Sequence, residues 1–307
     1  MRAIIAENLS KTYDGGNKAV DGISFRLEQG EILGFLGPNG AGKTTTIKLL
    51  CGMLPPSGGS CRVFDIDPAK EPEKIHQISG VITEHAQMYD HLSGMDNLVF
   101  YGTLFGMNRS DCEKRAKELL EQLDLTDAQH RRLSSYSTGM RQRLSLARAL
   151  MHSPRILFLD EPTSGLDPES AQNVNMLIQK LAEGGTTIFL CTHQLRYAQE
   201  ICSTYGLMDK GNLFATGNIE KLRSTASNKV KVRVKASRIP QDMEHEKIGE
   251  HIYDISVNSE DEIPLIVRQI VGAGGDIYQV STEQMSLEEI YFSLMNRNHA
   301  ETECENL

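Results

Sequence analysis

The sequence predicts an α/β protein with a mainly parallel sheet, antiparallel N-terminal strands, an inserted helical subdomain and a small C-terminal α+β module. Short apolar runs of the kind found in buried parallel strands occur at residues 31–36, 156–159 and 186–190. Much of the long stretch between the first two runs has helical periodicity. Beyond residue 228, strands with apolar residues at alternate positions predict a separate module.

The composition of the 307 residues is that of a globular, cytosolic protein. Hydrophobic residues make up 39% of the chain and charged residues 24%. No apolar run approaches the ~20 residues that cross a bilayer, and the N-terminus becomes acidic too early for a signal peptide. The net charge of −9 argues against nucleic acid as a partner. Six scattered cysteines without a C-x-x-C pair predict reduced thiols.

The sequence predicts short N-terminal strands and, later in the chain, a helical subdomain. Two short N-terminal strands are predicted at residues 3–9 and 23–28, on either side of a turn. The helical subdomain is predicted at about 84–151, and Ser110 with Glu113 predicts a capping box at the start of one of its helices. The apolar face of a later helix consists of Met140, Leu144, Ala147 and Met151.

A glycine-rich loop follows the first apolar run and completes the pattern G-x-x-x-x-G-K-[ST]. Its backbone N–H groups and the helix after it can hold phosphates, and side chains at its glycines would crowd that approach. Lys43 can bring its charge to the β- and γ-phosphates, and the Thr44 hydroxyl can ligate Mg²⁺. The predicted nucleotide-binding residues here are Gly37, Pro38, Asn39, Gly40, Ala41, Gly42, Lys43, Thr44 and Thr45.

An acidic pair follows the second apolar run. Asp160 and Glu161 would lie at the C-terminal edge of a parallel sheet, where ligands bind in open α/β folds. The first carboxylate can hold Mg²⁺, and the second can polarise an attacking water, which is worth about 10²–10⁴-fold in rate. A P-loop alone fits kinases, GTPases, helicases and transport ATPases, and the acidic pair adds a candidate Mg²⁺ ligand and a candidate base to it.

Three segments resemble motifs of the ATP-binding-cassette (ABC) ATPases, and the similarity covers roughly residues 1–220. Residues 158–167 are similar to the Walker B motif and D-loop, and residues 136–143 to the signature motif. His193 matches the switch histidine of that family. The resemblance implies a P-loop NTPase core and cassettes that act as pairs, each P-loop facing the signature motif of the other copy.

The resemblance also implies roles for single residues. Tyr13 would stack on adenine, Asp160 would organise Mg²⁺, and Glu161 would be the catalytic base. His193 would contact the γ-phosphate, and Asp167 would lie at the dimer seam. The residues that would touch the γ-phosphate held by the partner copy are Ser137 and Gly139.

Two departures from the usual motifs point to a subgroup. Tyr136, Thr138 and Met140 replace three of the five residues of the usual signature Leu-Ser-Gly-Gly-Gln. Glu84 stands where a Mg²⁺-binding glutamine is usual, and as a carboxylate it can also bind metal. Both features, with residues 88–93, resemble bacterial exporters of antibiotics, lantibiotics and similar amphiphiles.

The chain is divided into an ABC ATPase domain at 1–222, an accessory α+β module at 223–300 and an acidic tail at 301–307. In the module, valines alternate with basic residues at 230–235, and a helix is expected at 261–271. Ser286 and Glu289 predict a capping box. The module either supports the dimer or serves substrate-linked regulation.

Together these features favour the ATP-hydrolysing subunit of a bacterial ABC transporter. Two copies would enclose two Mg-ATP and power an exporter through separate permease subunits that contact the region around 84–105. The protein would sit on the cytoplasmic face of the membrane. The alternatives are an importer ATPase and a soluble non-transport ABC ATPase acting on ribosomes or DNA, for which the chain has neither a second cassette nor a coiled coil.

Overall fold

The computed structural model describes residues 1–83, 88–227 and 229–305, the last five of them by their backbone alone. The chain folds into two compact units, Met1–Asn218 and Ile219–Leu307. Within the described ranges, no helix is both long and apolar enough to cross a membrane.

A six-stranded sheet forms the centre of the first unit. The strands of this unit, in chain order, are β1 (Arg2–Thr12), β2 (Lys18–Glu28), β3 (Ile32–Leu36), β4 (Gly58–Val63), β5 (Ser79–Ile82), β6 (Ile156–Asp160), β7 (Thr187–Thr192), β8 (Thr204–Asp209) and β9 (Asn212–Gly217). The central sheet has the order β5-β6-β7-β3-β8-β9, and every neighbouring pair except β8 and β9 is parallel. Strands β3, β6 and β7 are buried along their whole length, so the predicted mainly parallel sheet is confirmed.

The N-terminal strands form a separate antiparallel sheet with the order β2-β1-β4. Three phenylalanines join it to the central sheet: the ring of Phe25 lies 5.3 Å from that of Phe35 and 5.8 Å from that of Phe189. The rings of Phe35 and Phe189 are 5.1 Å apart. All three side chains are buried, and burial of each contributes about 1.5–3 kcal/mol to the free energy of unfolding. This cluster fixes one sheet on the other.

Helices surround the central sheet. They are α1 (Lys43–Leu50), α2 (Pro72–Ile78), α3 (Gly94–Leu104), α4 (Arg109–Gln122), α5 (Thr138–Leu150), α6 (Pro168–Glu183) and α7 (Leu195–Ile201). Helices α3, α4 and α5 pack on one another in the part of the chain where a helical subdomain is predicted.

The start of α4 differs from the predicted capping box. Asn108 is the N-cap, and its Oδ1 accepts a hydrogen bond of 2.9 Å from the backbone N–H of Asp111. Ser110 lies inside the first turn, and Glu113 forms an ion pair of 3.0 Å with Arg109. The Ser110–Glu113 box is therefore wrong, because asparagine and serine are equally good caps and the pattern alone does not choose between them.

A buried asparagine holds the segment before α3 on that helix. The Asn97 side chain is fully buried, and its Nδ2 donates to the carbonyl oxygens of Tyr89 at 3.0 Å and Ser93 at 2.9 Å. Its Oδ1 accepts from the backbone N–H of Tyr89 at 3.0 Å. One side chain thus satisfies three backbone groups of the segment that leads into the helical subdomain.

The second unit is a small α+β module, as predicted. Its elements are α8 (Ile219–Ala226), β10 (Val230–Ala236), β11 (Glu246–Gly249), β12 (Ile252–Val257), α9 (Ile263–Gly272), β13 (Ile277–Glu283) and α10 (Leu287–Glu305). The strands form an antiparallel sheet with the order β11-β12-β10-β13. Val232 and Val234 are buried against Ile266 and Ile270 of α9. The Ser286–Glu289 capping box is confirmed, because Glu289 Oε2 accepts from Ser286 N at 2.8 Å.

Two of the predicted boundaries differ from the structure. The boundary between residues 222 and 223 falls inside α8, and the whole helix belongs to the second unit. Arg223 Nε donates to the carbonyl O of Met285 at 2.9 Å, which ties this helix to the module. The backbone of residues 301–305 continues α10, although an acidic tail was expected there.

Replacing Asn97 by alanine should lower the free energy of unfolding by about 1–3 kcal/mol, because three backbone groups each lose one hydrogen bond. Thermal or urea unfolding of the purified chain measures the change. Asn17→Ala, which truncates an exposed asparagine of the same unit, is the control and should change stability by less than about 0.5 kcal/mol. Equal stability of the two variants would contradict the role given to Asn97.

Candidate active site

The glycine-rich loop joins β3 to α1, and close backbone contacts shape it. Gly42 has a φ of 106°, and a Cβ there would lie 2.2 Å from the carbonyl O of Ala19. A Cβ on Gly37 would lie 2.2 Å from the carbonyl O of Met208. These two positions require glycine because the backbone of the protein itself leaves no room. Gly40, with a φ of 82°, has open space around it.

Lys43 begins α1 and folds back over the loop. Its Nζ donates to the carbonyl oxygens of Gly37 at 2.6 Å and Pro38 at 3.0 Å, and the residue is only 6% exposed. Two neutral carbonyls hold this charge in place, so the lysine is positioned without a carboxylate that would compete with an anion.

Ala41 is buried, and its carbonyl O accepts from Gly211 N at 3.0 Å. The loop residues with exposed positions are Pro38, Asn39, Gly40 and Thr44.

Tyr13 lies in the connection between β1 and β2, close to the loop. Its hydroxyl is 3.4 Å from Thr45 Oγ1, and the residue is 37% exposed. The structure therefore brings Tyr13 and Thr45 together, with part of the aromatic ring open to solvent. Such a ring can stack on a planar base.

Thr44 and Asp160 form the candidate Mg²⁺ site. Thr44 Oγ1 donates a hydrogen bond of 2.7 Å to Asp160 Oδ2, and Asp160 is 3% exposed at the end of β6. Among the described residues, no group of three or more His, Cys, Asp or Glu could hold a metal. Mg²⁺ in nucleotide sites is bound by one or two protein oxygens together with phosphates and water, so a hydroxyl beside a carboxylate fits it.

Glu161 is held by three hydrogen bonds at the edge of the central sheet. Its Oε2 accepts from Thr192 Oγ1 at 2.9 Å, and its Oε1 accepts from the backbone N–H of His193 at 2.9 Å. His193 Nδ1 lies 2.7 Å from the same Oε1. The Glu161 backbone has a φ of 51°, a conformation that non-glycine residues rarely adopt outside constrained sites. The carboxylate is therefore fixed in one place.

His193 connects this carboxylate to solvent. Its side chain is 48% exposed, whereas that of Glu161 is 9% exposed. Because Glu161 Oε1 is an acceptor, Nδ1 carries the proton of this hydrogen bond, and Nε2 is a second donor when the ring is protonated at both nitrogens. The histidine can thus contact a ligand through Nε2 while Glu161 orients it.

The signature segment begins α5. Ser137 is exposed and caps the helix, and its Oγ accepts from Met140 N at 3.3 Å. Gln142 Nε2 donates to the carbonyl O of Pro162 at 3.0 Å, which ties α5 to the turn after Glu161. A Cβ on Gly139 would lie 3.4 Å from a methyl group of Leu166. Within the described residues, no hydrogen bond joins Ser137 to the glycine-rich loop of the same chain.

Asp167 caps α6 next to this segment. Its Oδ1 accepts from Ser170 N at 2.9 Å, and this backbone hydrogen bond lowers the pKa of the carboxyl below its usual value. The side chain is exposed, so an ionised carboxylate stands on the surface beside the signature segment. Glu84, which is predicted to bind the metal, lies outside the described residues.

Two residues of the site were not assigned a role from the sequence. Thr192 donates to Glu161, and Gln142 joins the signature helix to the acidic turn. The signal for Thr192 is its position at the end of a buried strand, directly before the matched histidine.

Cys191 is buried at the end of the same strand. Burial, followed by the neighbouring Asp160 carboxylate, raises its pKa well above the usual value. Its thiol therefore stays protonated and is no nucleophile.

Comparison with known proteins agrees with this geometry. The family model described as "ABC transporter" matches residues 20–164. The daunorubicin/doxorubicin resistance ATP-binding protein DrrA of Streptomyces peucetius is 40% identical over 234 residues, which are 76% of this chain and 71% of that protein. The linearmycin resistance ATP-binding protein LnrL of Bacillus subtilis is 36% identical over 234 residues, 76% of this chain and 75% of that one.

A solved ATP-binding subunit of an ABC transporter superposes with a TM-score of 0.68 at 26% identity. The superposition covers 73% of this chain and 92% of that structure. The relatives in sequence and the solved structure therefore indicate the same family and fold. The chain belongs to the ABC transporter family, as an ATP-binding and ATP-hydrolysing subunit.

Proposed function

We propose that two copies of this chain form the motor of a bacterial exporter for an amphiphilic, antibiotic-like molecule. The proposal of ATP hydrolysis is supported by the three hydrogen bonds that fix Glu161 beside His193. Export is supported by the relatives DrrA and LnrL, whose names refer to resistance to daunorubicin/doxorubicin and to linearmycin. Because the motor uses ATP, its place is the cytoplasmic face of the membrane.

Nucleotide binding follows from the loop and its neighbours. The N-terminal end of α1 and the Lys43 ammonium group attract the phosphates, and Tyr13 stacks on adenine. Thr44 and Asp160 hold Mg²⁺, with Glu84 as a further ligand of the metal. The bound Mg²⁺ supplies positive charge that offsets the charge of the phosphate oxygens.

Glu161 acts as the general base for ATP hydrolysis. Its carboxylate accepts a proton from the water that attacks the γ-phosphorus, while the bond from that phosphorus to the leaving ADP oxygen breaks. Thr192 and His193 keep the carboxylate in position, which avoids the cost of orienting it during the reaction. In its imidazolium form, which has a donor on both nitrogens, His193 donates to a γ-phosphate oxygen through Nε2, on the edge of its ring that faces away from Glu161.

The exposed signature segment of each copy closes the site of the other. Ser137 accepts a hydrogen bond from Met140 N, so its own O–H remains a donor for a phosphate oxygen. Gly139 and the N-terminal end of α5 leave room and partial positive charge for that phosphate. Asp167 lies at the seam between the two copies. ATP thus joins the copies, and its hydrolysis lets them separate.

The permease contacts the apolar surface of the helical subdomain. Exposed aromatic and aliphatic residues of this surface are Tyr89, Phe100, Leu104 and Phe105. Beside them lies a groove of about 240 Å³ that is lined mainly by apolar atoms of Val81, Tyr101, Phe105 and Ala149. A contiguous apolar surface of this kind is typical of a protein–protein contact. These exposed residues also lie within the region around 84–105, where the contact with the permease is expected.

Glu161→Gln should leave ATP binding intact, lower the rate of hydrolysis by at least about 100-fold and accumulate an ATP-dependent dimer. Phosphate release, nucleotide binding and size-exclusion chromatography measure the three effects. Glu183→Gln, an exposed change at the end of α6, is the matched control and should behave like the unmodified chain. Hydrolysis at the normal rate by Glu161→Gln would refute the assignment of the base.

Thr192→Val should lower kcat about tenfold with little change in KM for ATP, because the Glu161 carboxylate loses one oriented donor while the nucleotide contacts remain. Steady-state kinetics separates the two constants. Thr186→Val, directly before the start of the same strand β7, provides a control with the same chemical change. A rise in KM at constant kcat would mean that Thr192 serves binding instead.

Phe105→Asp should abolish copurification with the permease and its stimulation of hydrolysis while leaving the basal ATPase rate within about twofold, since a charge is introduced into the apolar groove. Detergent extraction followed by affinity purification measures the association. Met176→Asp introduces the same charge at an exposed position of α6 and should keep the partner. Retention of the permease by Phe105→Asp would place the contact elsewhere.

A further inference from the structure

A cavity of about 640 Å³ lies within the second unit, between α8, α10 and the ends of strands β10 and β13. This volume is within the range of about 300–1,000 Å³ that is usual for small-molecule sites. The cavity belongs entirely to the C-terminal module and shares no residue with the nucleotide site. Its lining contains five basic residues, four glutamates and a few apolar residues.

Two arginines of the lining are held by backbone carbonyls. Arg223 Nε donates to the carbonyl O of Met285 at 2.9 Å, and Arg297 Nη1 donates to that of Thr225 at 2.9 Å. In each case one nitrogen is anchored, and a guanidinium has five N–H donors. Within the part of the chain that the structure describes, neither arginine forms an ion pair with a carboxylate. Their charges are thus positioned but not neutralised by a partner.

Among the other charged side chains of the cavity, Lys231, Arg233 and Glu283 form ion pairs. Arg233 forms an ion pair with Asp254 at 2.9 Å and with Glu283 at 3.4 Å. Glu289 accepts from Ser286 in the capping box, and this hydrogen bond lowers its pKa. Lys229 adds a further cation, and its side chain has no hydrogen bond or ion pair among the described residues. The exposed carboxylates of Glu220 and Glu260 also belong to the lining.

We propose that this cavity binds a small organic molecule with a phosphate group, and that Arg223 and Arg297 hold the phosphate. Anchored guanidinium groups are suited to phosphate because each can donate two parallel hydrogen bonds. Val230, Ala226 and Met285 supply an apolar side for the organic part of the ligand. The phosphate belongs either to a free metabolite or to the head group of an anionic lipid.

The test uses the full chain with Lys43→Ala, so that the glycine-rich loop does not compete for phosphate. Binding of inorganic pyrophosphate is measured by titration calorimetry, and binding to vesicles of phosphatidylglycerol and phosphatidylcholine by sedimentation. Pyrophosphate binding supports a free ligand, and binding only to vesicles supports a lipid head group. Arg223→Gln and Arg297→Gln should each weaken the observed binding about tenfold.

Arg268→Gln, an exposed change on α9 outside the cavity, is the matched control and should leave binding unchanged. Lys229→Gln, which removes a cation without breaking a hydrogen bond of the fold, should weaken binding by a smaller factor and keeps the test valid if an arginine variant does not fold. Absence of binding to both probes would overturn the proposal, as would unchanged affinity of the cavity variants. Neither outcome bears on ATP hydrolysis.

Discussion

The active site depends on one constraint, the parallel pairing of β7 with both β3 and β6. In this register Leu36 lies beside Thr192, and Asp160 lies beside Cys191. The chain segments that leave these three strands therefore begin at the same edge of the sheet. For that reason Thr44 reaches Asp160, and Thr192 reaches Glu161, although far-separated parts of the sequence supply them. A shift of one residue in either pairing would point the side chains to the opposite face.

The geometry of this sheet edge also gives Asp160 and Glu161 different hydrogen-bond partners. Asp160 ends a buried strand and faces the hydroxyl of Thr44, whereas Glu161 turns with a positive φ toward Thr192 and His193. Two adjacent acids thus have different partners and can take different roles, one toward metal and one toward water. Gln142 donates to the turn that follows Glu161. The signature segment at the start of α5 is therefore connected to the residues around Glu161 through this turn.

Much of the fold could be predicted because buried parallel strands leave continuous apolar runs, as at residues 156–159 and 186–190. The glycine-rich loop and the acidic pair could be predicted because few other kinds of site need these residue types in this order. Strand β4, with Gly58, Gly59 and the exposed Ser60, has too short an apolar pattern for the sequence to predict it. Asn108 and Ser110 are equivalent as caps, and the extent of α8 depends on tertiary contacts such as that of Arg223 with Met285. The role of Thr192 likewise depends on a partner that is 31 residues away in the sequence.

The central claim is that the edge formed by β3, β6 and β7 holds half of an ATP site, which a second copy completes. The crystal structure of Glu161→Gln with ATP and Mg²⁺ tests this claim most directly. It should contain two copies, with Thr44 and Asp160 at the metal and Ser137 of each copy at the γ-phosphate bound by the other. A single copy with nucleotide on its loop, or a pair joined without Ser137 at the phosphate, would contradict the account.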